Sequence, residues 1–475
     1  MKYTIKLFLA LFLVFSTIQA QSQNLREYIP GSWQGVLNVG AVQLRLAINI
    51  SVEEDLSLKA TLDSPDQGAV DIPMGKVSLN EDSLKIEAPM IQAYYIGKFM
   101  ADSSIQGEWH QAGRMFKLDL KKARGAFVLN RPQEPRPPYP YKEEEVFFPN
   151  SEQGFSLGGT LTLPEGEGPF PAAILVTGSG SQNRDEEIFG HKPFKVIADH
   201  LTRKGIAVLR YDDRGVGLSG GTAEGSTTED LAGDARSAMD YLLKRSEIDH
   251  SKMGLIGHSE GGMIAFMLAS SQKDLAYMVS LAGPGVDGKT ILLEQSNHIA
   301  RLSGVVEAIL EDNWNVMDGV YDLMIENESY ESWREKTLEF TSKFYSEEAR
   351  WNYSEEEIER GKENLIASIS GDSYAWMRYF VMFDPAPLFD RITCSVLALN
   401  GEKDCQVLAE KNIKAIHDGL TGAGNTNIKT MIIPGVNHLF QQCETGLVNE
   451  YGIIEETFDP NTLELIADWI WQQVD

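Results

Sequence analysis

From about residue 143 onward, short uninterrupted apolar runs alternate with helical stretches, and this alternation leaves few folds open. The runs are 172–177, 206–211, 253–257, 277–281, 395–399 and 429–433, preceded by two more at 146–148 and 157–163. Helical stretches fall at 193–204, 228–244, 262–270 and 407–419, with a last one at 463–472. Strands that are apolar on both faces must be covered on both faces, as in a parallel sheet flanked by helices. Alternating strand and helix with right-handed crossovers satisfies that demand. The expectation is a mostly parallel eight-stranded sheet spanning 143–475.

One connection breaks the rhythm. Residues 283–392 carry no strand pattern but many aromatics, among them Trp314, Trp333, Trp351, Tyr353, Tyr374, Trp376 and Tyr379. A long insertion in a compact domain is functional or disordered, and this one holds too much apolar surface to be disordered. A helical lid over 285–390 is expected, with most of its aromatics forming the lid's own core. The run Glu355-Glu356-Glu357 reads as a solvated helix face.

Upstream the pattern differs. Residues 21–130 show period-two stretches such as Val42-Gln43-Leu44-Arg45-Leu46-Ala47-Ile48, which predict a small antiparallel barrel or sandwich. Five prolines within 131–140 mark an extended linker over 131–142. At the start, Lys2 and Lys6 precede an apolar run at 7–15, and a polar stretch ends at Ala20. That layout predicts a cleavable secretory signal over 1–20, too short to span a membrane. The protein is therefore expected to be secreted or periplasmic, without a stable membrane anchor. A net charge of −27 argues against nucleic-acid binding, which requires a concentrated basic surface.

The chemistry centres on Gly257-His258-Ser259-Glu260-Gly261, where a strand ends and a helix begins. A hydroxyl nucleophile must project from a sharp turn into a cleft, and flanking glycines relieve the crowding there. Gly217-Leu218-Ser219-Gly220-Gly221 has similar spacing but no following helix, so Ser219 reads as loop chemistry. Serine needs a base within hydrogen-bond reach. Of eight histidines, His438 sits directly after the last strand, where loops at the carboxyl ends of parallel strands converge. His258 adjoins the serine on the wrong side of the turn to take its proton, so a role supporting the catalytic residues from behind, or a packing role, is expected. Asp404 follows the 395–399 strand and is the favoured orienting acid, over Glu402, which lies nearer the strand end. The order Ser259, Asp404, His438 is that of the α/β-hydrolase fold. The oxyanion hole should combine the N–H of Glu260 with one from Gly178-Ser179-Gly180-Ser181-Gln182, Ser179 or an immediate neighbour.

Residues from about 145 to 475 resemble the bacterial α/β-hydrolase esterases related to prolyl-oligopeptidase-like and serine aminopeptidase-like enzymes. The resemblance rests on Thr177-Gly178-Ser179-Gly180, Tyr211-Asp212-Asp213-Arg214-Gly215-Val216-Gly217-Leu218-Ser219, Gly257-His258-Ser259-Glu260-Gly261, Asn400-Gly401-Glu402-Lys403-Asp404 and Asn437-His438. It implies the triad Ser259, Asp404, His438, and a structural role for the Asp-Arg-Gly stretch. The loop after 172–177 lacks the His-Gly-Gly start of lipase-like relatives, and the N-terminal β-rich region lies outside the resemblance. Arg184-Asp185-Glu186-Glu187 and the segment around His191 are candidates for the acyl pocket, as are Trp376 and Tyr379 from the insertion; an ordinary charged loop accounts equally well for 184–187.

These parts imply a serine carboxylesterase acting on small-molecule esters through an acyl-enzyme, with no metal and no organic cofactor. A serine peptidase of the aminopeptidase kind is the rival reading. A binding protein with a vestigial hydrolase is disfavoured by the intact triad order. Three cysteines are too few for a disulfide scaffold. The triad would bring the loops of Cys405 and Cys443 together, and export would allow a disulfide between them, leaving Cys394 buried and free.

Overall fold

The computed structural model describes residues 28–39, 42–111, 113–124, 129–347, 354–369 and 371–475. The predicted leader over 1–20, and with it Trp351 and Tyr353 of the insertion, lie outside them. The chain divides into two compact units, Met1–Asn130 with Ile188–Gly190, and Arg131–Glu187 with His191–Asp475. Among the described residues no helix is long and apolar enough to cross a membrane.

The first unit is antiparallel throughout. Its strands are β1 (Gly31–Val39), β2 (Val42–Val52), β3 (Leu58–Ser64), β4 (Ala69–Pro73), β5 (Val77–Asn80), β6 (Ser83–Ala88), β7 (Ala93–Phe99), β8 (Ser104–Gln111), β9 (Arg114–Lys117) and β10 (Leu120–Lys122). They pair in the order β4-β3-β2-β1-β10-β8-β7-β6-β5, with β9 added to β8. Strand β7 buries every second residue, the signature of a sheet with one face on a core. That core gathers Trp33, Ile48, Leu84, Tyr95, Ile105 and Trp109 from across the sheet, so the sheet curls around its own apolar face.

The second unit holds an eight-stranded sheet. Its strands are β11 (Lys142–Asn150), β12 (Phe155–Leu163), β13 (Phe170–Val176), β14 (Ala207–Tyr211), β15 (Ile248–His258), β16 (Tyr277–Leu281), β17 (Ser395–Gly401) and β18 (Ile428–Ile433). They run in the order β11-β12-β14-β13-β15-β16-β17-β18. Strand β12 is antiparallel to both neighbours, and all pairs from β14 to β18 are parallel. Helices α1 (Pro193–Arg203), α2 (Thr228–Leu242) and α3 (Glu260–Ser271) fill the early crossovers. The chain between β16 and β17 forms α4 (Gly288–Leu302), α5 (Glu307–Glu326), α6 (Tyr330–Glu347), α7 (Glu355–Ser368), α8 (Gly371–Met382) and a short α9 (Ala386–Phe389). Then α10 (Ala409–Gly422) and α11 (Pro460–Val474) complete the unit.

Two apolar layers sandwich the sheet. On one face Leu209, Leu255 and Met278 pack with Ala235, Met239 and Phe266 of α2 and α3. On the other, Leu175, Ile256 and Leu397 meet Ile197 of α1 and Ile466 of α11. Two-sided burial is why these strands show no alternation. The inserted helices keep a core of their own, in which Trp333, Tyr374, Val320 and Met324 are buried together. Glu355, Glu356 and Glu357 are exposed at the start of α7, where Ser354 and Glu357 close a capping box.

The proline-rich stretch is part of the second unit rather than a free spacer. Arg131 donates to the carbonyls of Gly452 (2.9 Å) and Ile454 (2.8 Å). The Gln133 side chain accepts from Phe458 N at 3.0 Å and donates to Phe458 O at 2.6 Å. Glu134 meets Lys192 and Lys195 at 3.1 and 3.2 Å. Prolines supply stiffness here, and the polar residues between them fix the path.

Helix α3 carries the weight of the arrangement through Phe266, fully buried and edge-on to Phe389 at 5.3 Å. Phe266→Ala is expected to lower unfolding free energy by about 3–5 kcal/mol, read from urea denaturation of the second unit's transition.

Candidate active site

Ser259 sits between β15 and α3 with φ 53° and ψ −118°, a conformation that costs a non-glycine residue free energy. Such strain persists only where the surroundings impose it. Here a side chain on Gly257 would overlap the Gly261 carbonyl, and one on Gly261 would overlap the Val176 carbonyl. Two backbones approach so closely that only glycine fits, and the chain turns over at Ser259. The turn is held by Ser259 N donating to Leu281 O at 2.8 Å and Gly262 N to Ser259 O at 2.8 Å. Ser259 is half-buried, so its hydroxyl remains reachable.

Asp404 follows β17 and is buried. Its Oδ1 accepts from the N–H groups of Gln406 (2.8 Å) and Val407 (2.9 Å). Its Oδ2 accepts from Asn400 Nδ2 (3.1 Å) and His438 Nδ1 (2.7 Å). Four donors aim the carboxylate at one edge of the imidazole. With Nδ1 carrying the proton, His438 Nε2 is left as an acceptor. Asn437 pins the His438 loop by accepting from Leu439 N and Gln441 N, both at 3.0 Å. Glu402, the weaker candidate acid, accepts instead from Gly435 N at 2.8 Å and braces the same loop.

The three loops meet through the residue before the serine. His258 Nε2 donates to the backbone carbonyl of His438 at 3.0 Å, and the two rings lie 4.8 Å apart. Its Nδ1 meets Glu186 Oε1 at 2.9 Å. Burial opposes a charge on His258. Glu186 beside it, the His438 carbonyl and the Asp404 charge outweigh burial and hold its pKa above the ordinary value.

The loop after β13 runs against the turn, for a Cβ placed on Gly178 would lie 3.2 Å from Ser259 Cβ. Gly178 N is already donated to Glu186 Oε1 at 2.8 Å, which leaves Ser179 as the next N–H in the loop. Glu260 opens α3, where its N–H precedes the intrahelical ladder. Its side chain is buried, and Oε1 accepts from Thr228 Oγ1 (2.6 Å) and Trp376 Nε1 (2.8 Å). Burial raises the Glu260 pKa, against the hydrogen bonds it receives.

Several sequence expectations are corrected. His191 is not a pocket residue: it is buried, with Nδ1 on Thr457 Oγ1 and Nε2 on Tyr451 O, both at 2.9 Å. Neither nitrogen is left for a substrate, and burial pushes its pKa down to about 4. Tyr379 packs beside Trp376 against a cluster that includes Met263 of α3. It lines a groove with Thr227, Glu229, Arg236 and Met267 along α2 and α3. Trp376, by contrast, reaches Glu260 and lines a cavity of about 360 Å³ with Gly180, Ser181, Asp213, Arg214 and Leu231. Arg184, Asp185 and Glu186 each have an internal partner, Asp212, Arg210 and His258 respectively. Ser219 donates to Asp212 O (2.6 Å) and accepts from Gly158 N (2.9 Å), so its hydroxyl is structural. Among the described residues no group of three or more His, Cys, Asp or Glu side chains could hold a metal ion.

Residues 192–335 match the family described as serine aminopeptidase, S33. Esterase EstD of Thermotoga maritima is 25% identical over 70% of this chain and 69% of its own length. Esterase FrsA of an Enterobacter species is 25% identical over 39% of this chain and 44% of its own. The putative hydrolase YtaP of Bacillus subtilis is 31% identical over 27% of this chain and 48% of its own. The second unit has the α/β-hydrolase fold, and the chain is similar in sequence to bacterial esterases. It spans about two thirds of EstD and less than half of the length of the other two.

The expected bridge between Cys405 and Cys443 is not formed. Cys394, Cys405 and Cys443 are all free. Cys405 Sγ donates to Gly446 O at 3.2 Å and Cys443 Sγ to Gly435 O at 3.4 Å, so each thiol is drawn to a different carbonyl. Burial pushes the Cys443 thiol pKa up to about 11 and those of Cys394 and Cys405 to about 12, which makes all three poor thiolates. Alkylation of the denatured, non-reduced protein should modify all three; intact mass showing only one modified thiol would reinstate the bridge.

Proposed function

We propose that this chain is a secreted serine carboxylesterase whose triad is Ser259, Asp404 and His438. The observation that carries the reading is the 2.7 Å bond from His438 Nδ1 to a carboxylate held by three further donors, beside a serine on a strained turn. In this reading His438 Nε2 takes the Ser259 proton as the hydroxyl oxygen bonds to the ester carbonyl carbon. The N–H groups of Ser179 and Glu260 receive the oxyanion. The C–O bond to the alcohol breaks, His438 returns the proton to the leaving oxygen, and an acyl-enzyme remains. Water then attacks, giving up its proton to His438, and the acid leaves with Ser259 restored. Asp404 orients the imidazole and balances its charge in both halves.

The substrate class rests on the esterase relatives, and export rests on the charged-then-apolar start of the sequence. A serine aminopeptidase is the second reading, favoured by the family match over 192–335. Nitrophenyl esters compared with aminoacyl nitroanilides separate the two. Turnover of the esters, absent in Ser259→Ala along with fluorophosphonate labelling, is the expected result. Activity that survives Ser259→Ala would remove the triad, and preference for the anilides would replace the esterase.

The inserted helices act in this proposal as a lid. What supports the role is Trp376 of α8, whose indole reaches the carboxylate of Glu260, the residue after the nucleophile, and lines the adjoining cavity. A side chain at that cavity contacts the acyl or alcohol group rather than the reacting carbonyl. Trp376→Ala should therefore change the preference among acyl chains by about 1–3 kcal/mol while fluorophosphonate still labels Ser259. A uniform drop across all chain lengths would make Trp376 a structural residue only.

A further inference from the structure

Beneath the triad lies a buried pair to which the reaction above assigns no role. Glu186 and His258 are both almost wholly buried, with side-chain exposures of 3% and 9%. Glu186 Oε1 receives two N–H groups, from Gly178 (2.8 Å) and from His258 Nδ1 (2.9 Å). His258 Nε2 faces the carbonyl of His438 at 3.0 Å. Both of the imidazole's partners are therefore acceptors. A neutral imidazole has one N–H and can serve only one of them; the imidazolium has two and serves both.

We propose that Glu186 and His258 are positioning residues, a buried carboxylate–imidazolium pair that fixes three loops in one catalytic geometry. The inference rests on the triad reading above. Through Gly178 the pair holds the loop that presents Ser179. Through its own backbone His258 sets the entry to the Ser259 turn. Through the His438 carbonyl it holds the loop of the base. Glu186 itself sits at φ 51°, a conformation its surroundings must impose. The titratable groups facing His258 are Glu186, the His438 ring and, beyond it, Asp404; the two carboxylates favour the doubly protonated His258 ring. Asp213 lies close enough to Glu186 for the two carboxyls to oppose one another. Glu186 is thus also the acid that a neutral partner would leave uncompensated in the interior.

The substitution Glu186→Gln keeps shape and removes charge. The amide can accept from Gly178 and from one imidazole N–H, but the ring then loses either that bond or the one to His438. Misplacing a reacting group by about 1 Å costs on the order of 10²-fold in rate. Glu186→Gln is expected to lower kcat by about that factor with KM nearly unchanged. His258→Asn keeps the bond toward Glu186 and drops the one toward His438, so it should lower kcat similarly. If the two act as one unit, the double variant loses no more than the worse single. In wild-type protein labelled with ¹⁵N-histidine, the His258 ring should show imidazolium shifts at neutral pH, which needs no variant to fold. A neutral ring, unchanged kcat in Glu186→Gln, or losses that multiply in the double variant would each overturn the pair. Failure of the underlying triad looks different, since Ser259→Ala would then keep its activity.

Discussion

The close approach of three backbones at the serine turn governs the second unit. The end of β13, the turn itself and the first residues of α3 pack so tightly that Gly257 and Gly261 admit no side chain. Gly262 lies against Gly283 in the same way, which seats α3 on the chain leaving β16. Helix α3 can sit this close only because its first turn is glycine-rich, and its buried residues then meet the sheet directly. Strain at Ser259 follows from that packing. It is stored by the rigid parallel strands on either side, whose register His258↔Leu281 continues to the last residue before the turn. A looser sheet would let the turn relax, and the hydroxyl would leave the position where the loops after β13, β17 and β18 converge.

How much of this was legible in the sequence depended on how local the signal was. Every strand of the second unit was marked by an apolar run, and β16 was marked to the residue, because burial on both faces is recorded in consecutive residues. The turn was legible for the same reason, since its glycines lie within five positions. Asp404 and His438 could be ordered because each follows its own strand. The misread residues are those whose role is set by a partner far along the chain. His191 looked available until Tyr451 and Thr457 were found to hold it, 260 and 266 positions away. Glu186 resembled an ordinary loop acid, and its partner lies 72 positions on. Tyr379 and Trp376 are three positions apart on α8, and only the packing of that helix shows that Trp376 is the one bonded to Glu260. A signal for Glu186 did exist in retrospect: a charged loop whose acids and arginines are matched by Arg210, Asp212 and His258 at strand ends.

The inserted helices illustrate the same division. Their aromatics build a separate core around Trp333 and Tyr374, which explains why so many were needed without giving them chemistry. Trp376 is the exception because its indole N–H finds an acceptor in Glu260. A buried carboxylate requires donors, and one of the two that Glu260 Oε1 finds comes from the insertion. The coupling is therefore mutual. The insertion supplies a donor to the start of α3, and α3 supplies the acceptor that the indole meets. Gly225 N, bonded to Asp372 O at 3.1 Å, adds a second tie between the insertion and the loop that precedes α2.

Two adjacent acids show how finely partner choice sets charge around the site. Asp212 and Asp213 follow β14 together, and both are buried. Burial pushes each pKa upward, but Asp212 meets the Arg184 guanidinium and the N–H of Leu218, and these hold it below the ordinary carboxylate range. Asp213 meets only the Thr177 hydroxyl at 2.7 Å and the N–H of Gln182 at 2.8 Å, neither of them charged. Burial therefore wins, with the charge of Glu186 adding to it, and Asp213 is pushed up to about 7. One residue of displacement along the chain separates a permanent ion from a group that titrates near neutrality. The permanent ion anchors the Arg184 loop. The titrating one lines the cavity beside Trp376, so the charge of that wall changes across the neutral range while the triad's own carboxylate keeps its four donors.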